Sequence, residues 1–309
     1  MRAKLRQIHI PKEKRIICIS DIHGNLAAFE RLLALVNHSE QDMLVLPGDL
    51  YLKGPKPRET LRFIMALCER PGVYALRGNC DWGGDDFLND TQRNWLDALP
   101  HIIESEDYIF VHCSLSSGDL RNQNAHACMK SEDYFPNCGL TFDKFVIAGH
   151  MPTPNFHHDI PRYAPLIDEQ HRIICIDGGN VVRADGQLNA LIIEDGTFSC
   201  QWVDDLPEMT VPRTQPERAG ALNITWLDRF VEIVEPGEHF HLCRHIATGK
   251  LIFLAKERLW MDADGRTCSA SLATDYHLPV TAGEKVRVVA RYADKIFVKK
   301  DSIGGWIDA

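Results

Sequence analysis

Five short motifs rich in metal-capable side chains punctuate the first half of the chain, each directly after an apolar run: Ser20-Asp21-Ile22-His23-Gly24-Asn25, Gly48-Asp49, Gly78-Asn79, Val111-His112 and Gly149-His150. Two carboxylates, three imidazoles and a carboxamide mix hard oxygen with borderline nitrogen donors, a set suited to manganese, iron or zinc and not to calcium. Asp21 and His23, two apart on one loop, can hold one divalent ion; Asn79, His112 and His150 can hold a second, with Asp49 bridging the two. Two ions about 3.5 to 4 Å apart lower the pKa of a shared water and clamp a phosphoryl group on both its attacking and leaving sides, which is the chemistry of phosphoester hydrolysis. Singly, each motif reads as a turn. Five in order, each closing an apolar run, read as one site.

The elements that must position these residues follow from periodicity. "RIICIS" (Arg15 to Ser20) is a β-branched strand and "LAAFERLLALVN" (Leu26 to Asn37) repeats leucine at helical spacing. The unit returns as "MLVL" with the helical Arg58 to Arg70, and again as "VYAL", an alternation that predicts a layered α/β sheet. After residue 100 the strands "YIFVH", "FVIAGH", "IICIDGG" and "LNALIIEDG" come with less helix between them and predict a second sheet. In open α/β sheets the ligand crevice lies at the carboxyl ends of the strands, so the motif loops are expected to converge. Pro207, Pro212 and Pro216 among charges mark 206–220 as a linker, which divides the chain into a domain over 1–205 and a small all-β domain over 221–309. Its aromatics Trp226, Phe230, Phe240, Phe253 and Trp260 are expected to form its core.

Composition bounds the function. With 309 residues, 45% hydrophobic and 25% charged, the chain is long enough for a full core. A net charge of -9 without a long basic run disfavours a large nucleic-acid surface and leaves room for a small phosphorylated ligand. No secretory signal and no long apolar span is apparent, so a cytoplasmic protein away from membranes is expected. The ten cysteines form no C-x-x-C pair, and Cys113, His126, Cys128 and Cys138 are too irregularly spaced for structural zinc, so reduced thiols are expected.

The order D-x-H-G, G-D-x-x-x-x-G-P, R-G-N, V-H, G-H resembles the calcineurin-like metallophosphoesterases, and in particular their phosphoprotein phosphatase branch, over roughly residues 15–203; "GHMPTPNF" and "IDGGNVVRADGQLNALIIEDG" resemble the end of that core. The resemblance implies a four-layered β-sandwich flanked by helices, two divalent ions, manganese foremost with iron or zinc as alternatives, and ligand roles on Asp21, His23, Asp49, Asn79, His112 and His150. The final thirty residues resemble a bacterial SH3-like module, which makes the β domain a candidate for recruiting a protein partner.

Departures from the family sharpen the reading. The branch usually carries an aspartate and a histidine acting together as general acid where this chain has Leu52 and Cys80. Losing both together is chemically coherent, because a carboxylate without its imidazole would be a buried charge without a partner. Cys80 then reads as a packing residue, and Asp81, or water, is left to assist the leaving group unless that group is a good one. Lys53, where the family has arginine, and Arg77 are the candidate phosphate-binding cations. The expected activity is phosphomonoester hydrolysis of the Ser/Thr protein phosphatase type on a phosphoprotein or small phosphoester. The alternatives are a phosphodiesterase or dinucleoside polyphosphate hydrolase and, in another class, a non-catalytic metal or phosphate sensor.

Overall fold

The computed structural model describes residues 1–82, 85–131, 139–292 and 294–309. It divides into two compact units. The first comprises Met1–Pro152, Ala164–Val182 and Gly186–Asp204; the second comprises Thr153–Tyr163, Arg183–Asp185 and Asp205–Ala309.

In the first unit the strands are β1 (Leu5–Gln7), β2 (Ile16–Cys18), β3 (Met43–Leu46), β4 (Val73–Ala75), β5 (Ile102–Glu104), β6 (Tyr108–Val111), β7 (Phe145–Ala148), β8 (Leu166–Asp168), β9 (Ile173–Cys175), β10 (Leu188–Glu194) and β11 (Thr197–Val203). Helices α1 (Leu26–Leu35), α2 (Pro57–Cys68), α3 (Asp90–Ala98) and α4 (Ala125–Met129) lie between them. The strands form a six-stranded sheet ordered β1-β5-β6-β7-β9-β8 and a five-stranded sheet ordered β11-β10-β2-β3-β4. Within the second, β2, β3 and β4 run parallel; within the first, β6, β7 and β9 do.

Successive side chains of a strand point to opposite faces, and here both faces are used. Ile16, Cys18, Met43, Val45, Leu191 and Ile193 turn one way and pack against Ile103, Phe110, Ile147 and Ile174 of the other sheet, which closes the sandwich. Their neighbours Ile17, Leu44, Leu46 and Val73 turn the other way, onto Phe29 and Leu32 of α1, Leu61 and Ile64 of α2, and Leu96 of α3. The six-stranded sheet also buries both parities, as Ile109 and Val111 beside Phe110 show. The expected layered sandwich with flanking helices is what the structure shows. The helices start where local chemistry sets them: Asn25 caps α1 by accepting from Ala28 N at 3.2 Å, Pro57 occupies the first turn of α2, and Asn89 with Gln92 forms a capping box for α3.

The second unit carries a four-stranded antiparallel sheet (Glu208–Thr210, Lys285–Tyr292, Lys295–Lys300, Ile303–Asp308) and a three-stranded one (Val231–Glu235, Phe240–His245, Leu251–Ala255). The proline-bearing segment expected to be a linker contributes the first of these strands, and Val211 is buried; Pro207 and Pro212 bracket the strand without interrupting it. The aromatic core also differs from expectation. Phe240 packs with Tyr292, Phe297 and Trp306, whereas Trp226, Phe253 and Trp260 are 44%, 63% and 37% exposed. Phe253 takes an outward position of its alternating strand, and Trp226 stacks on Trp260 at the surface, ring centroids 6.1 Å apart. Among the described residues, no helix is long and apolar enough to cross a membrane.

Two outcomes follow. Leu32→Ala, at a fully buried contact between α1 and the five-stranded sheet, is expected to lower the unfolding free energy by about 2 to 5 kcal/mol in denaturant titrations. His101 ties the edge strand β1 down: its Nδ1 accepts from Lys4 N at 2.9 Å and so carries no proton. Burial, then Arg77 and Lys4, lower its pKa from the usual 6.5 to about 4. Below 6.5 the unfolded chain takes up the proton first, so the stability that neutral His101 provides is complete above that pH and is lost as pH falls toward 4. Unfolding midpoints over this window should depend less steeply on pH in His101→Gln than in the parent.

Candidate metal centre

Every motif loop leaves the carboxyl end of a parallel strand: Asp21 and His23 after β2, Asp49 after β3, Asn79 after β4, His112 after β6 and His150 after β7. The loops are laced to one another. Asp21 N donates to Gly48 O, His23 N to Asp49 O, Gly149 N to His112 O, and His150 N to Asp21 Oδ2 at 3.0 Å. Four of the six residues hold positive φ: Asp21 at 54°, His23 at 50°, Asp49 at 53° and His150 at 71°. Such conformations cost of order 1–3 kcal/mol each for non-glycine residues and persist only where the surroundings impose them. Glycine serves here by closeness as well as freedom. A Cβ on Gly78 would lie 2.2 Å from Asp49 N and Oδ1, and one on Gly149 would lie 2.3 Å from Asp21 Oδ2.

The loops bring lone pairs face to face. His112 Nδ1 lies 2.8 Å from Pro47 O and His23 Nδ1 3.2 Å from Leu52 O; a carbonyl only accepts, so both Nδ1 atoms carry the hydrogen and both Nε2 atoms present a lone pair. His112 Nε2 then faces Asp49 Oδ1 at 3.3 Å and Asn79 Oδ1 at 3.2 Å, while His23 Nε2 faces Asp21 Oδ1 at 3.6 Å and Asp49 Oδ2 at 3.7 Å. These are acceptors against acceptors in a buried space, an arrangement that calls for cations between them. Donor atoms of Asp21, Asp49 and His112 lie within 4.8 Å of one another, and so do those of His23, Asp49 and Cys80, with Asp49 common to both groups. His150 completes the cluster edgewise to His112, ring centroids 5.1 Å apart.

The electrostatics agree. Burial, followed by the charge of Asp49, pushes Asp21 well above the usual carboxylate range. Burial would raise Asp49 as well, but any positive charge on the His112 and His23 sides, together with hydrogen bonds from Cys80, outweighs it and lowers it to about 2. Burial, with His112 second, drops His150 to about 3, and burial drops His23 to about 4, so both rings are neutral and able to donate lone pairs at neutral pH.

Asp177 is a residue that motif reading passed over. It follows β9 as the other five follow their strands, and that recurrence was the available signal. Its Oδ1 accepts from Gly179 N at 2.7 Å, while Oδ2 is buried without a hydrogen-bond partner and the group is pushed well up by burial and by Asp21. An orphaned carboxylate oxygen beside Asp21 fits a centre that holds positive ions. Asn180 supports it from the same loop, donating through Nδ2 to the carbonyls of Asp21 and Ile22.

Three of the expected residues have surroundings of their own. Arg77 does not reach the cluster: its guanidinium pairs with Asp97 at 3.1 Å, donates to the carbonyls of Asp81 and Trp82, and lies over the Trp82 ring, because the chain at Gly78 turns its side chain toward α3. Asp81 is fully buried and spends both oxygens on the amides of Leu50 and Gly78 at 2.9 Å, which makes it a clasp between two loops. Burial and Asp49 raise it to about 7. Cys80 is not mere packing, since its sulfur joins one donor group. Lys53, by contrast, extends to the cluster. Burial would lower its pKa, but Cys80, Asp49 and Asp21 together raise it and keep it charged. Among the described cysteines all are free, and Cys138 lies outside the described residues.

A family model described as calcineurin-like phosphoesterase matches residues 14–249. The symmetrical bis(5'-nucleosyl)-tetraphosphatase of Vibrio parahaemolyticus serotype O3:K6 is 32% identical over 117 residues, 32% of this chain and 44% of that protein. Phosphodiesterase YfcE of Escherichia coli K12 is 34% identical over 82 residues, 24% of this chain and 44% of that protein. The chain therefore spans less than half the length of these relatives. A crystal structure named as that of a diadenosine tetraphosphatase superposes with a TM-score of 0.52 at 21% identity, covering 66% of this chain and 99% of the other, which is a likeness of fold.

The close approach at Gly78 sets a direct test. Gly78→Ala should displace Asp49 and weaken manganese binding by tenfold or more, on the scale of roughly 10–100-fold seen when support around a metal is disturbed. Isothermal titration gives the affinity, and circular dichroism verifies that the sandwich is retained; unchanged affinity would show that Asp49 is not a ligand.

Proposed function

Because the chain belongs to the calcineurin-like phosphoesterases, metal-dependent hydrolases of phosphoesters, we propose that it uses a binuclear centre to cleave substrates whose leaving group needs no protonation, with dinucleoside polyphosphates as the substrate class. The observation that carries this reading is the confrontation of the His23 and His112 lone pairs with the carboxylates of Asp21 and Asp49 at 3.3 to 3.7 Å. Asp21, His23, Asp49, Asn79, His112 and His150 would hold two divalent ions, with Asp49 shared; manganese suits the oxygen and imidazole donors. Bound there, the ions supply Lewis acidity and a water nucleophile at neutral pH.

The chain's own groups account for the rest. Asp49, lowered below the usual carboxylate range, keeps its negative charge between the two imidazoles. Leu52 O and Pro47 O fix the tautomers of His23 and His112, so that neither ring rotates out of place. Lys53 brings a full positive charge to the cluster and is the candidate contact for a phosphate oxygen. Leu52 and Cys80 stand where the family carries its acid pair, and Asp81 is occupied by backbone amides. A departing serine alkoxide would lack the family's aspartate–histidine acid pair here, whereas a departing phosphate is stable as an anion.

This reorders the sequence-based expectation, which placed a Ser/Thr-type phosphomonoesterase ahead of the dinucleoside polyphosphate hydrolase. The tetraphosphatase and phosphodiesterase names of two relatives favour the same order. The sensor alternative gives way to the enzymatic family assignment.

Two measurements test the proposal. Asp49→Asn should abolish manganese-dependent hydrolysis, a loss of at least about 10²-fold as for other preorganised electrostatic groups. Rates on diadenosine tetraphosphate, on aryl phosphates of graded leaving-group acidity and on phosphoserine peptide should fall in that order. Phosphoserine peptide cleaved as fast as the tetraphosphate would overturn the leaving-group argument.

A further inference from the structure

Resting on the binuclear reading above, we propose that Cys80 Sγ is itself a metal donor. With His23 and Asp49 it forms a mixed nitrogen, oxygen and sulfur position that takes zinc in preference to manganese.

The donor atoms of His23, Asp49 and Cys80 lie within 4.8 Å of one another, the same span that joins Asp21, Asp49 and His112. Asp21 Oδ1, 3.6 Å from His23 Nε2, supplies a fourth atom, and four donors of these types match the number and kind that zinc takes. The backbone of the cysteine is tied to the carboxylate across two loops: Cys80 N donates to Asp49 Oδ1 at 2.8 Å.

Asn79 and Cys80 share the work between the two positions. Asn79 Nδ2 donates to Cys80 Sγ at 3.3 Å, which turns Asn79 Oδ1 toward His112 Nε2 at 3.2 Å. Consecutive residues of a single loop thus serve opposite ions, the carboxamide oxygen on the His112 side and the sulfur on the His23 side.

The consequence is a division by softness. The His112 position offers carboxylate, carboxamide and imidazole, which suit manganese; the His23 position adds a thiolate, which does not. On binding, the S–H bond breaks, an S–metal bond forms and the proton leaves to solvent, with no change in oxidation state. Where the family's usual imidazole would donate a proton to the leaving group, this chain has a residue that binds the metal, in keeping with a substrate that needs no such proton.

Cobalt(II), a spectroscopically visible stand-in for zinc, separates the outcomes. Metal-free protein titrated with cobalt should show visible ligand-field bands and, with the first equivalent, a near-ultraviolet sulfur-to-cobalt charge-transfer band. Cys80→Ser and Cys80→Ala should both lose the charge-transfer band and keep ligand-field bands. By competition titration their zinc affinity should fall about tenfold or more while manganese affinity changes less than about twofold. Ligand-field bands with the same charge-transfer intensity in parent and both variants would overturn the thiolate donor and leave the binuclear centre standing. Absence of any cobalt binding by folded parent protein would overturn the binuclear reading, and this proposal with it.

Discussion

The carboxylate of Asp49 stands between two imidazoles that have already committed their hydrogens elsewhere, and the rest of the site is arranged around that fact. His112 gives its Nδ1 hydrogen to Pro47 O and His23 gives its own to Leu52 O, so each presents a bare lone pair toward the same buried acid. In a low-dielectric interior such groups repel, and positive ions are what relieve them. Asp21 and the orphaned oxygen of Asp177 extend the same deficit of positive charge.

Holding unfavourable groups together requires a scaffold that does not yield. The two sheets bury both faces of their parallel strands, so the strand ends from which the loops depart are fixed by close packing. Those loops then carry strain: Asp21, His23, Asp49 and His150 all adopt the left-handed conformation, and Gly78 and Gly149 sit where no Cβ fits. Backbone hydrogen bonds between loops, such as Asp21 N to Gly48 O and His23 N to Asp49 O, bind each strained residue to a neighbouring motif. Site and fold are therefore coupled through the ends of β2, β3, β4, β6 and β7.

The replacement of the family's acid pair acquires a physical reading in this setting. Leu52 contributes through its carbonyl, which orients His23, and its side chain packs against the helix-side core. Cys80 contributes through its sulfur and its amide, both directed at the cluster. Each of the two positions thus meets the cluster, one through its carbonyl and the other through its amide and sulfur.

The sequence alone supplied the candidate donors and their order, because a strand that ends in a metal-capable residue is visible as an apolar run followed by Asp, His or Asn. It also determined the layered α/β architecture of the first half, since helical and strand periods alternate plainly there. Only the tertiary structure decided what depends on direction. Arg77 and Lys53 are both cations on motif loops, yet one turns to Asp97 and α3 while the other reaches the cluster. Asp81 and Asp177 are both buried acids next to motifs, yet one is saturated by backbone amides and the other keeps an oxygen without a partner. Glu208–Thr210 of the proline-rich stretch is a strand because it pairs with Lys285–Arg287, a partner far along the chain. The physical reason is common to these cases: composition and spacing fix which groups a loop contains, whereas the direction of a side chain is set by contacts with segments dozens or hundreds of residues away.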